Sequence, residues 1–234
     1  MMVGDWFGRV SGFLNDGAGV FTERVRRGYG ATEYTDQFSG TSASAPVVSG
    51  VVALMLQANP GLGWRDVQDI LAASARLTGS AFDSGPSSVE DGVWQTNGAS
   101  TWNGGGYHLH TNYGYGMVDA YNAVRMAEVW HLFGAAQTSA NEVLVESALN
   151  DFADTVLPAG AGDSFSATFT LTGNGEIDYV TLDLEFVSEN VDDLEVLLTS
   201  PTGTVIRVAV PAPVNTGVST DVIWLYGIEG LRGE

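Results

Sequence analysis

The sequence predicts an α/β module followed by an all-β module, and three patterns predict it. Residues 45–58 read as a helix that is apolar on nearly every face, with Val47, Val48, Val51, Val52, Leu54, Met55 and Leu56, the composition of a buried helix. Val67, Ile70, Leu71 and Ser74 recur at i, i+3, i+4 and i+7, the stripe of an amphipathic helix. Beyond about residue 142 the helical period disappears and alternation replaces it. In residues 177–187, Val180, Leu182, Leu184 and Phe186 share one face and Asp183 and Glu185 the other, as in a half-buried antiparallel strand.

The elements follow in order. Residues 1–40 are glycine-rich and irregular, with weak strand signals. The apolar helix over 45–58 is stopped by Asn59-Pro60-Gly61. The second helix is predicted over 64–77, with Asp66 and Asp69 in or near the first turn, where carboxylates suit the helix dipole. Residues 79–116 form a long Gly/Ser/Asn-rich segment anchored by Trp94, Trp102, Tyr107, Tyr113 and Tyr115. A third helix is predicted over 120–133 with Asp119 as its N-cap. Residues 134–141 are small and polar and read as a linker. Strands are predicted at 164–172, 177–187, 193–199 and 204–210. Between the last two, Ser200-Pro201-Thr202-Gly203 has Pro at i+1 and Gly at i+3 of a type I turn. Four short strands with such turns suggest a β-sandwich or jelly roll. The expected division is therefore 1–133, a linker at 134–141, and 142–234.

Composition sets limits on function. The chain has 234 residues, 44% of them hydrophobic, enough for one large or two ordinary cores. Its net charge is −19, and its nine basic residues are all arginine. Such a surface repels nucleic acid and anionic membranes. The acidic excess has three readings: a solvated acidic face, carboxylates that bind calcium, or adaptation to a salty external medium. The absence of cysteine excludes disulfides and thiolate metal sites. No uninterrupted apolar run reaches the ~18 residues of a membrane span. The first residues, MMVGDWFGRV, do not read as a signal peptide, although a secreted protein remains compatible with the rest.

The candidate for chemistry is Ser42. The helix behind it points its N-terminus at the serine, where free backbone N–H groups and the positive dipole end suit a developing oxyanion. Gly40 lets the backbone approach closely, and Pro46 is tolerated in the first turn because it lacks an N–H. By itself such a serine also reads as a helix N-cap. The string Phe38-Ser-Gly-Thr-Ser-Ala-Ser-Ala-Pro46, however, closely resembles the nucleophile motif of subtilisin-like serine peptidases. Val47–Leu56 is similar to that family's central helix. Asn59-Pro60-Gly61-Leu62, Trp64-Arg65-Asp66-Val67-Gln68 and Tyr113-Gly-Tyr-Gly-Met-Val-Asp-Ala120 resemble its kexin-like branch. Leu157-Pro158, Ile177–Val180 and Asp193–Thr204 resemble the P domain that follows the catalytic domain in kexin-like convertases.

The resemblance implies a partial subtilisin-like parallel-sheet domain followed by an all-β P domain. It also implies a secreted serine endopeptidase acting on protein or peptide substrates through an acyl-enzyme on Ser42, with calcium as cofactor and ligands unassigned. In that family the triad runs Asp, His, Ser along the chain. No histidine precedes Ser42. Asp5, Asp16 and Asp36 lie upstream without the family's Asp motif, and Asn15 is too close to Ser42 for the oxyanion asparagine. His108 and His110 precede the Tyr-Gly-Tyr-Gly match and read as structural, and His131 suits a helix C-terminal end. An α/β-hydrolase elbow, Gly-x-Ser-x-Gly, is not present around Ser42. The expectation is a piece of a longer peptidase, inactive by itself, with the apolar face of 45–58 partly uncovered. The alternative is a non-catalytic pseudoenzyme or a secreted β-sandwich binding or adhesion module.

Overall fold

The computed structural model describes residues 40–79, 93–99, 105–147, 164–173, 175–186, 194–209 and 222–234. Three helices carry the first core: α1 (Thr41–Ala58), α2 (Trp64–Ser74) and α3 (Ala120–Val129), which runs into a 3-10 turn at Trp130–Leu132. Val48, Val51 and Met55 of α1 meet Val67, Ile70 and Leu71 of α2 and Ala123, Ala127 and Trp130 around α3. Removing side chains such as Met55, Ile70 and Leu71 from water stabilises this cluster by about 1.5–3 kcal/mol each. Asn59 ends α1 and ties it to α3, its Nδ2 donating to the Ala127 carbonyl at 2.9 Å. Asp119 caps α3, accepting from the Asn122 N–H at 2.9 Å, as the sequence predicts.

α1 departs from expectation in three ways. It begins at Thr41 rather than Ala45, so Pro46 lies in its second turn. It is 18 residues long with a mean hydropathy of 1.4, long and apolar enough to cross a membrane by length and composition alone. The sequence reading required an uninterrupted apolar run, whereas a hydropathy average tolerates Ser44, Ser49 and Gly50. Its outer side is also open: Val47, Leu54 and Leu56 are exposed while Val48, Val51 and Met55 are buried.

The aromatic anchors of the glycine-rich segment form a second core. Tyr107, Leu109 and Tyr115 pack with Ala72, Ala75 and Ala99. β1 (Gln95–Thr96) pairs antiparallel with β2 (His108–Leu109). Gly116 explains why the Tyr-Gly-Tyr-Gly stretch requires its second glycine. Its φ is +119°, and a Cβ there would sit 2.3 Å from the Arg76 carbonyl oxygen, where the chain pairs Arg76 with Met117. Trp102 lies outside the described residues.

The remaining strands pair as antiparallel ribbons: β3 (Val180–Phe186) with β6 (Val222–Ile228), and β4 (Val196–Thr199) with β5 (Val205–Ala209). Three of the four predicted strands are present with trimmed ends. Ser200–Gly203 turns as predicted, with the Gly203 N–H donating to the Ser200 carbonyl at 3.0 Å. The predicted strand at 164–172 is not formed, because no strand pairs with it, and Phe165, Phe169 and Leu171 are exposed. None of the described strand pairs is parallel. The described strands make two-stranded ribbons and do not assemble a sandwich.

α2 gathers the distant parts of the chain. Asp66, 2% exposed, accepts from the N–H groups of Gly63 (2.7 Å) and Gln137 (3.1 Å) and from the Trp130 indole (2.9 Å). The expected linker is therefore docked on the start of α2, where the Arg65 N–H also donates to the Gln137 carbonyl at 3.3 Å. Arg65 forms an ion pair with Asp178. Arg232, 2% exposed, pairs with Asp69 at 2.9 Å and Glu229 at 2.6 Å and donates to Gln68 Oε1 at 3.0 Å. Burial alone would lower the Arg232 pKa, but Glu229, Tyr115 and Asp69 outweigh it and hold the guanidinium firmly charged. Burial pushes Asp69 the other way, up to about 6, against the pull of Arg232.

Truncating a single partner of such a pair strands a buried charge. Arg232→Leu is expected to lower unfolding free energy by about 3–5 kcal/mol in urea titrations. A loss below about 1 kcal/mol would show that the tail does not anchor on α2.

Candidate nucleophile site

Ser42 stands in the first turn of α1, one residue past the turn's start, and is exposed. Gly40 precedes the helix with φ +83°, and an added Cβ would meet nothing within 4 Å. The glycine is thus required for its backbone angle, not for the close approach that the sequence suggested. Its carbonyl accepts the first helical bonds, from the N–H groups of Ala43 (3.1 Å) and Ser44 (3.2 Å). The N–H groups of Thr41 and Ser42 come before the first intrahelical donor and point out of the helix end. No acidic side chain lies in the first turn to offset the positive end of the dipole.

The neighbouring serines are spent on the backbone. Ser44 is buried and donates its hydroxyl to the Gly40 carbonyl at 3.2 Å. Ser49 donates to the Ala45 carbonyl at 3.1 Å. Ser42 makes no hydrogen bond among the described residues, so its Oγ faces outward beside two outward N–H groups. Pro46 has no N–H to offer the Ser42 carbonyl four residues back, so that carbonyl too lies outside the helical ladder. Free N–H groups at a helix start suit an anion or a developing negative charge.

The other candidates are placed elsewhere. His108 and His110 pack on Trp94, with ring centroids 5.4 and 5.2 Å away. His131 is exposed on the 3-10 turn after α3. Asp5, Asn15, Asp16 and Asp36 lie outside the described residues. No group of three or more His, Asp or Glu that could hold a metal ion occurs among the described residues. Where carboxylates do gather, at Asp69, Asp178 and Glu229, Arg65 and Arg232 occupy them. That donor set, already neutralised by guanidinium groups, does not fit calcium. Each of the five arginines in the described residues pairs with a carboxylate. Sequence reasoning missed the Arg232–Asp69 and Arg65–Asp178 ion pairs, whose partners are over 100 residues apart and leave no periodic signal.

Ser42 thus stands exposed on the first turn of a long helix whose opening amides have no intrahelical partner. Residues 18–116 match the subtilase family of peptidases. It is 32% identical over 180 residues to a PC3-like endoprotease, variant B, of Hydra vulgaris, covering 73% of this chain and 22% of that protein. It is 33% identical over 175 residues to human proprotein convertase subtilisin/kexin type 5, covering 73% of this chain and 8% of the relative. The fold matches a serine protease of Aeromonas sobria with a TM-score of 0.55 at 21% identity, over 84% of this chain and 35% of that one. The chain thus spans about a fifth or less of the length of these curated relatives.

Pro46→Ala restores one helical hydrogen bond. It is expected to raise stability by about 1–3 kcal/mol, less the few tenths lost as the unfolded chain becomes freer. A thermal melt that shows no gain would mean that the backbone at Ser42 is not held open by the proline.

Proposed function

We propose that Ser42 is the nucleophile of a kexin-like subtilase endopeptidase that cleaves protein or peptide substrates outside the cell. The observation that carries this reading is the exposed Ser42 hydroxyl beside unpaired amides at the start of α1, within a subtilase match. Ser42 Oγ attacks the scissile carbonyl carbon while its proton passes to a histidine. The Ser42 N–H receives part of the charge on the tetrahedral oxygen. Collapse expels the amine, which takes the proton, and water then hydrolyses the acyl-serine. The residues from 142 onward are read as the P domain, and 134–141 as the docked connection to it.

The chain by itself is read as inactive. No histidine precedes Ser42, and the three that follow it are committed elsewhere or lie on the far end of α3. The same observation favours the second reading, a non-catalytic module that keeps the subtilase helix as scaffold. Purified chain is expected to hydrolyse fluorogenic peptides no faster than its Ser42→Ala variant, and to resist a fluorophosphonate probe. Turnover that Ser42→Ala abolishes would overturn the inactivity. In a longer form that supplies the histidine and aspartate, Ser42→Ala is expected to lower kcat by about 10⁶-fold, the loss known for the subtilisin serine. An unchanged kcat there would remove Ser42 from the mechanism.

A further inference from the structure

Trp94 is fully buried, and two imidazoles and a phenol surround it. His108 meets it edge-on at 5.4 Å, His110 at 5.2 Å, and Tyr113 stacks at 6.0 Å with only 8° between the planes. The indole N–H donates to the Thr78 carbonyl at 2.9 Å, so the ring is fixed from behind. His110, 2% exposed, accepts the Asn112 N–H on Nδ1 at 3.0 Å. A backbone N–H can only donate, so that nitrogen must hold a lone pair and the ring must be neutral. His108 buries its Nε2 with no hydrogen-bond partner. Both rings thus fit this cluster without a proton charge.

We infer that His108 and His110 form with Trp94 an acid-sensitive clasp, which holds residues 105–117 closed at neutral pH and releases them in mildly acidic medium. Protonating His110 puts a hydrogen on Nδ1 and breaks the Asn112 bond. Protonating His108 buries a charge with no counter-ion. His108 is held below its ordinary 6.5 by burial, and the carbonyls of Tyr115 and Ala75 offset this only in part. No charged side chain acts on it. On the adjoining segment Arg76 and Asp119 compensate each other at 3.2 Å. Tyr107 and Tyr115 are kept protonated by burial.

The sign follows from where the protons bind. A histidine whose folded pKa is depressed contributes stability above 6.5 that is lost as pH falls below it. Asp69, pushed up to about 6, works in the opposite direction between 6 and 3.8 and is not the source of the opening. Release would reach further than the loop. The Tyr115 hydroxyl donates to the Glu229 carbonyl, and Asn97, whose N–H donates to the Tyr107 carbonyl, holds the carbonyls of Gly230 and Arg232 at 3.1 and 2.9 Å. Opening 105–117 therefore loosens the tail from the helical core.

Hydrogen exchange on the full chain at pH 7.5 and 5.5, corrected to protection factors, tests the clasp. His110 and Gly114, which exchange backbone bonds at 2.9 and 2.8 Å, are expected to lose protection at least tenfold, together with Asn112. Amides of α1 and α3 are expected to keep theirs within about twofold, since neither helix contributes to the clasp. Unchanged protection at 110–114, or an equal loss throughout α1 and α3, would overturn the inference. In the His108→Gln/His110→Gln variant the acid response is expected to vanish, while His131→Gln keeps it; a response that persists in the double variant would also overturn it. Should that variant not fold, the exchange data on the unaltered chain decide.

Discussion

The guanidinium of Arg232 sits inside the protein, 2% exposed, between Asp69 and Gln68 of α2 and Glu229 of its own turn. A charge in that position is tolerated only because carboxylates and an amide oxygen replace the water it left. Arg65 repeats the arrangement on the same helix with Asp178 just before β3, and Arg232 reaches that carboxylate as well at 3.8 Å. The β-ribbon end of the chain is thus fastened to α2 by ion pairs. Asp66 fastens the 134–141 segment to the same helix by accepting the Gln137 N–H, and it also receives the Gly63 N–H and the Trp130 indole. An 11-residue helix serves as the common platform, and its buried charged residues Arg65, Asp66 and Asp69 each have a partner.

That platform is what holds α1 in place. α1 rests on α2 and α3 through one side, Val48, Val51 and Met55, and leaves Val47, Leu54 and Leu56 open. Its N-terminal turn extends beyond this contact and presents Ser42. The helix end supplies amides and a positive dipole, which suit a developing negative charge, but not a base. Nucleophile and oxyanion donors are local features of a single turn. A base must be brought to the serine by other elements, and the imidazoles of His108 and His110 are committed to Trp94 instead.

Several elements were legible because their signal is local. The stripe of α2, the Asp119 cap, the stop at Asn59 and the alternation of β3 each lie within one or two turns or a single strand. The subtilase family was legible for the same reason, since residues 38–46 carry its nucleophile string without interruption. Other features depended on contacts that local patterning does not encode. Residues 164–172 alternate like a strand but have no partner strand among the described residues, and a strand needs a ladder partner to form. Gly40 looked like a site of close approach, and only its φ of +83° shows what it does. The glycine-rich segment looked like a loop with aromatic anchors, and its histidines gained a role only once Trp94 lay between them.

The sequence by itself determined the presence of three helices, the Asp119 cap, the faces of β3 and the turn at Ser200–Gly203. Each of these is set by side-chain period and backbone preference over a few residues. The tertiary structure alone decided which charges are buried and with whom: Arg232 with Asp69, Arg65 with Asp178, Asp66 with Gln137 and Trp130. It also decided which imidazoles must stay neutral. An arginine or histidine carries the same chemistry wherever it stands in the chain, and only the folded surroundings settle whether water, a carboxylate or an indole meets it.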